Sequence, residues 1–303
     1  MREAFSNSLL KLAQQDDRVL LLTGDHGYAL FDKFRRLCSS QYINAGIAEQ
    51  NMVGMAAGLA KLGFRPFVYG LAAFVPIRVV EQIKLDVAHD YLPVVFLGDG
   101  AGFVYSHLGT SHQCIEDISC TRSIPGLDVL SPGDRYEMTA CVTYAYLRRG
   151  PVYLRIGKSD CGDVHRSPLS PLAPGRLIKL KSGRSDRPAL IATGSLLRTA
   201  LDISGELGTA VWSAPVIKPL SAEDVCAASA EANGIVTMEE HSIYGGLGSA
   251  VSEILSERAP AKVIKIGVND RFSDQCGSYK YLLKEHGLDE PTIRAKIVSH
   301  VRP

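Results

Sequence analysis

Glu49 is the acid whose surroundings in this chain suit chemistry. It lies in Tyr42 to Gly58, YINAGIAEQNMVGMAAG, at the entrance of a small-residue helix behind an apolar strand. In a first helical turn the dipole favours the ionised carboxylate, while apolar neighbours on both sides favour the neutral form. Two uses stay open: steadying the helix end, or acting on a ligand. His112, in GTSHQ, is the second candidate, because an imidazole exchanges protons near neutral pH; a loop histidine also caps turns. His107 and Tyr105 share that loop, GAGFVYSHLGT. Phe74, in GLAAFVPIRVVEQI, is either a core aromatic or a stacking surface for a flat ligand. Gly245-Gly246-Leu247-Gly248 does not fit the dinucleotide pattern G-x-G-x-x-G, and the chain carries no zinc-ligand spacing, P-loop, nucleophile elbow or internal repeat.

The elements that must hold these residues are legible as alternating patterns. Met52, Val53, Ala56, Leu59 and Ala60 recur at helical intervals, and Gly63 stops that helix before FRPFVYG. Apolar strand-like runs fall near 19–24, 65–70, 92–98, 127–132 and 151–157. Helical segments between them include about Pro76 to His89 and Asp134 to Leu147. Buried strands separated by helices predict an α/β fold, a mostly parallel open sheet flanked by helices. Over 161–187, SPLSPLAPG and KSGRSDRP break the pattern, which predicts a linker between a first domain, 1–160, and a second, smaller α/β domain, 188–303. In the second, Ser221-Ala-Glu-Asp224 reads as a capping box.

Composition is that of an ordinary globular protein, with 303 residues, 46% hydrophobic and 21% charged. A formal net charge of +1 gives no electrostatic case for nucleic acid or a membrane surface. The seven cysteines are scattered and never form C-x-x-C, which fits reduced thiols in the cytoplasm. The opening MREAFSNSLLKLAQQDD lacks the apolar core of an export signal, and no stretch reaches membrane-spanning length, so a cytoplasmic location is expected.

NAGIAEQNMVGMAAGLAKLGFRPFV resembles the pyrimidine-binding segment of the transketolase family of thiamine diphosphate enzymes, with Gly46 to Gln50 as its specific part. EEHSIYGGLGSAV and IGVNDRFSDQCGSYKYLLKEHGL resemble the C-terminal domain of the same family. The resemblance implies that Glu49 bonds the cofactor's aminopyrimidine, that Phe74 packs against that ring, and that Ile47 and Arg78 join the cofactor-binding set. Ile77 stands where many relatives have a second aromatic. Ketol transfer needs a stabilised carbanion equivalent, which the thiazolium supplies and ordinary side chains do not.

The resemblance further implies that His112 faces the reacting carbon, with His107 in the same loop. Arg2 and Lys158 match positions that hold a substrate phosphate, and Arg155 matches an arginine of deoxyxylulose-phosphate synthases. Thr23 and His26, in LLTGDHG, follow the first strand where the family places substrate contacts. The loop from Gly98 to His112 departs from transketolases: Gly98 replaces a histidine, and no acidic pair precedes Gly-Thr-Ser-His, so ordinary pentose phosphates should bind poorly.

Gly98-Asp99-Gly100 looks like the start of the family's magnesium and diphosphate motif, but no asparagine follows before Asn233. It is read as a turn. No residue of this chain is therefore expected to hold the metal. The expected protein is the C-terminal subunit of a split transketolase, active with an N-terminal subunit that binds Mg2+ and the diphosphate, in a heterotetramer acting on sugars or sugar phosphates. The beta subunit of a 2-oxo acid dehydrogenase and a non-catalytic assembly subunit are the alternatives; Gly-Ile-Ala-Glu-Gln and Thr-Ser-His-Gln lean toward transketolase.

Overall fold

A computed structural model describes residues 1–301. Its first sheet uses β1 (Val19–Thr23), β2 (Tyr42–Asn44), β3 (Arg65–Leu71), β4 (Val95–Asp99), β5 (Asp128–Leu130) and β6 (Val152–Ile156). These pair in parallel, as the apolar runs predicted. Both faces are covered, so side chains alternate between two cores instead of between core and water. Phe67 and Tyr69 of β3 join Phe5, Leu9 and Phe31 on one face, beneath the Arg2–Ala13 and Arg135–Leu147 helices. Val68 joins Met52, Val53 and Ala56 of the Glu49–Lys61 helix on the other.

The second sheet contains β7 (Ile178–Lys181), β8 (Ala189–Ala192), β9 (Ala210–Ser213), β11 (Ile235–Ser242) and β12 (Val263–Val268), in the order β12-β11-β8-β9-β7. The intervening β10 (Val216–Lys218) crosses back and pairs antiparallel with β5, giving the first sheet the order β10-β5-β6-β4-β3-β1-β2.

Three sequence expectations change. The predicted linker contains β7, an edge strand antiparallel to β9. The predicted helix over Pro76 to His89 is instead a 3₁₀ turn (Ile77–Val79), one α-turn (Val80–Gln82) and a π-helical stretch (Ile83–Ala88). The Ser221 cap forms, its Oγ accepting from Asp224 N at 3.1 Å, but Asp224 does not return the bond: its Oδ2 accepts from Leu177 N at 2.9 Å. No helix of the described residues is long and apolar enough to cross a membrane.

Candidate active site

In the first sheet the chain leaves β1 for β2 on one side and returns to β3 on the other. Such a reversal opens a crevice beyond the carboxyl ends of the two central strands, where ligands of open parallel sheets bind. The segments following β1, β2 and β3 carry His26, Glu49 and Phe74. Backbones approach closely there: a Cβ on Gly24 would lie 2.8 Å from Gly46 O, and Gly46 adopts φ +73. Asn44 Oδ1 accepts from Gly46 N at 2.8 Å, closing the turn that delivers Glu49 as the first residue of its helix.

Glu49 is only 4% exposed. Arg78, on the 3₁₀ turn, donates from Nη1 to Glu49 Oε2 at 3.0 Å, and its guanidinium carbon lies 4.1 Å from the centre of the Phe74 ring. That ring is 5.9 Å from His26 and 5.4 Å from His112, which meets it edge-on. Five residues expected from the sequence therefore converge: an acid, a cation, an aromatic face and two imidazoles. His112 makes one local bond, its Nδ1 lying 2.9 Å from Ser111 Oγ. His107 is exposed on the 3₁₀ turn Ser106–Leu108, and Ile47 is 75% exposed two residues before Glu49.

Beside this cluster, at the end of β4, the buried Asp99 accepts from Tyr69 Oη at 2.8 Å and Tyr105 Oη at 3.1 Å, with Arg2 Nη2 at 3.1 Å. Burial, then the Asp99 charge, pushes the Tyr105 phenol up to about 12, so it remains a donor. Arg2 is anchored at one end while its side chain stays 44% exposed. Lys158 pairs with Asp160 at 2.9 Å and lies 5.4 Å from the centre of the Tyr279 ring. The anchoring role of Asp99 was not foreseen from the sequence; an acid between two glycines at a strand's carboxyl end was the available signal.

Two expected substrate contacts fall away. Arg155 is 2% exposed, with Nε 2.7 Å from Asp117 Oδ2 and Nη2 2.7 Å from Glu240 O. It is a strut between the domains, its side chain buried against Asp117 and Glu240. Thr23 is fully buried and its hydroxyl is engaged with Tyr42 Oη at 2.8 Å. His241 is likewise internal: Ser119 N donates to its Nε2 at 3.2 Å, its Nδ1 lies 2.8 Å from Ser242 O, and burial lowers its pKa to about 4.

The transketolase pyrimidine-binding domain matches residues 1–163 and the transketolase C-terminal domain matches 179–293. The chain belongs to the transketolase family. It is 32% identical to a 6-deoxy-6-sulfo-D-fructose transketolase subunit of Clostridium sp. (strain MSTE9), over 95% of this chain and 90% of that one. It is 34% identical to an apulose-4-phosphate transketolase subunit of Phocaeicola vulgatus, over 96% of this chain and 94% of that one. A solved structure described as a split gene transketolase, inactive beta4 tetramer, superposes with a TM-score of 0.88 at 33% identity, over 99% of this chain and 97% of that one.

The transketolase family implies thiamine diphosphate, and the residues here suit one end of it. Glu49 beside Phe74 matches an aminopyrimidine, which offers a ring nitrogen to a carboxyl group and a flat face to an aromatic. Arg78 bridges the acid and the ring, so its guanidinium must share one of them with that ligand. Among the described residues no group of three or more His, Cys, Asp or Glu is arranged to hold a metal, and Asp99 is spent on Arg2, Tyr69 and Tyr105.

Proposed function

We propose that this chain is the pyrimidine-binding half of a split, thiamine diphosphate-dependent transketolase that moves a two-carbon ketol unit from a ketose to an aldehyde. A separate subunit supplies the metal and diphosphate contacts, and the two form a heterotetramer in the cytoplasm. The observation that carries this reading is the convergence of Glu49, Arg78 and Phe74 with His26 and His112. Bound thiamine diphosphate supplies the electron sink for carbon–carbon cleavage. Glu49 holds a proton at the aminopyrimidine nitrogen, Phe74 and Ile47 orient the ring, and His112 and His26 exchange protons with substrate hydroxyls. His107 stands on the same loop at the substrate side.

The need for a partner is supported by three exposed apolar side chains around the site. Tyr28, Ile47 and Leu108 are 70%, 75% and 55% exposed, and each lies within two residues of His26, Glu49 or His107. The substrate is an anionic sugar. Arg2 and Lys158 offer cations at the sheet's carboxyl edge, and the two relatives are named for a sulfonated and a phosphorylated sugar.

Calorimetric titration with thiamine diphosphate and magnesium tests this directly. The chain alone should give no tight binding, and the chain mixed with a diphosphate-binding subunit should give one shared site per pair. Glu49→Gln in the mixture should lower ketol transfer by roughly 10²- to 10⁴-fold. Tight binding by the chain alone, or full activity in Glu49→Gln, contradicts the reading.

A further inference from the structure

The loop bearing His107 and His112 belongs to the first domain by sequence and is held by the second. Its base is closed by a bridge between Gly102 and Cys114, with N···O distances of 2.6 and 3.0 Å. Both residues just inside that bridge reach across the domain boundary. At one foot, Phe103 is fully buried in the core formed by Leu190, Leu196, Val236, Ile266 and Leu288. Its N–H donates to Glu240 Oε1 at 2.6 Å, and its ring stacks on His286 at 4.7 Å with 19° between planes.

At the other foot, Gln113 is 6% exposed and its Oε1 accepts from Ser273 Oγ at 2.9 Å. Ser273 Oγ also lies 3.0 Å from His286 Nε2. A hydroxyl has one hydrogen, and it is given to Gln113, so Nε2–H of His286 donates to Ser273. The order of donation runs from His286 through Ser273 to Gln113. His286 thus braces both feet, one through its ring face and one through its edge. Burial, with Arg271, lowers its pKa against the opposing pull of Glu285 and Asp274, which favours the neutral ring. Between the feet, a Cβ on Gly109 would lie 3.0 Å from Cys276 Sγ, another contact with the second domain.

We propose that Ser273 and His286 are positioning residues for His112: through Gln113, its neighbour in the chain, and Phe103, they set where its imidazole stands against Phe74. This rests on the reading of the Glu49 cluster as a ketol-transfer site. Ser273 is partly exposed, so Ser273→Ala should fold. Hydrogen exchange of the full chain tests the brace without any catalytic assumption: amides of 104–112 should exchange about tenfold faster in Ser273→Ala, with β8 and β11 unchanged.

In the complex with the diphosphate-binding subunit, the same variant should lose roughly 10- to 100-fold in kcat, with cofactor affinity unchanged. Ser273→Thr, which keeps the hydroxyl, should restore kcat to within about threefold. Wild-type exchange in Ser273→Ala overturns the proposal, as does a kinetic loss that threonine does not repair. Full ketol transfer in Glu49→Gln would instead overturn the functional reading and leave the exchange result intact.

Discussion

Arg155 and Phe74 show that a side chain's chemistry is decided by which way its backbone position faces. Arg155 shares Asp117 Oδ2 with Tyr153, whose Oη donates at 2.7 Å, and all three side chains are buried. Removing one member of such a pair leaves the other charge without compensation, so Arg155→Ala should destabilise the chain by about 3–5 kcal/mol. Arg155→Lys should not restore it, because one ammonium cannot reach both Asp117 and Glu240 O. Urea titration of the full chain measures this; unchanged stability with a raised substrate KM would make Arg155 a substrate contact after all. Phe74, partly exposed beneath Arg78, carries the opposite expectation: Phe74→Ala should leave folding intact and weaken cofactor binding in the complex by about 3- to 10-fold, read by calorimetry. The sequence made Glu49, Phe74, Arg78, His26 and His112 legible because each lies on a segment leaving a strand, where motif and position coincide. Thr23 and Arg155 were misread because they sit within strands covered on both faces. Every residue of β1 and β6 is buried, so no polar alternation marks which way either side chain points.

Strand β11 carries three consecutive titratable residues, Glu239, Glu240 and His241, just before its last residue, none more than 1% exposed. Glu239 accepts from Leu247 N and Gly248 N, each at 2.8 Å, at the start of the Leu247–Arg258 helix. Burial outweighs these bonds and raises its pKa from 4.5 to about 7. The folded chain therefore keeps a proton that the unfolded chain has released between those values. The contribution of this group is full below pH 4.5 and is lost as pH rises through about 7, a change of roughly 3 kcal/mol. His241 acts in the other direction, its contribution present above pH 6.5 and lost as pH falls through about 4. Glu239→Gln, which mimics the protonated acid, should remove the Glu239 part of the decline in denaturation midpoint from pH 5 to pH 8; parallel profiles for both proteins would refute the assignment. The longer apolar strands were legible as runs, whereas β7 and β10 were not. IKLK and VIK are too short to show a period, and each pairs antiparallel with a strand distant in sequence.

The two domains are interlocked rather than strung together. β10 leaves the second domain to pair with β5, and Phe103 leaves the first to enter the second domain's core. Between them Ser213 Oγ donates to Glu137 Oε1 at 2.6 Å, Thr193 Oγ1 donates to Ser131 O at 2.9 Å, and Arg155 reaches Glu240. Domains joined by a proline-rich connection are expected to move independently unless their interface is large or apolar, and here exchanged elements make each sheet and core depend on both halves. The site needs this, since His112 lies on a loop whose two feet are held by the second domain while Glu49 and Phe74 belong to the first. The connection itself carries little of that load. Arg166 is exposed just beyond His165, whose backbone N–H donates to Asp134 Oδ2 at 2.9 Å. Tryptic cleavage after Arg166 should therefore give two fragments that co-elute on size exclusion and unfold in one transition with the His112 loop still protected from exchange. Fragments that separate under native conditions would mean that the crossed strand and the buried Phe103 do not hold the halves together, and that the covalent connection does.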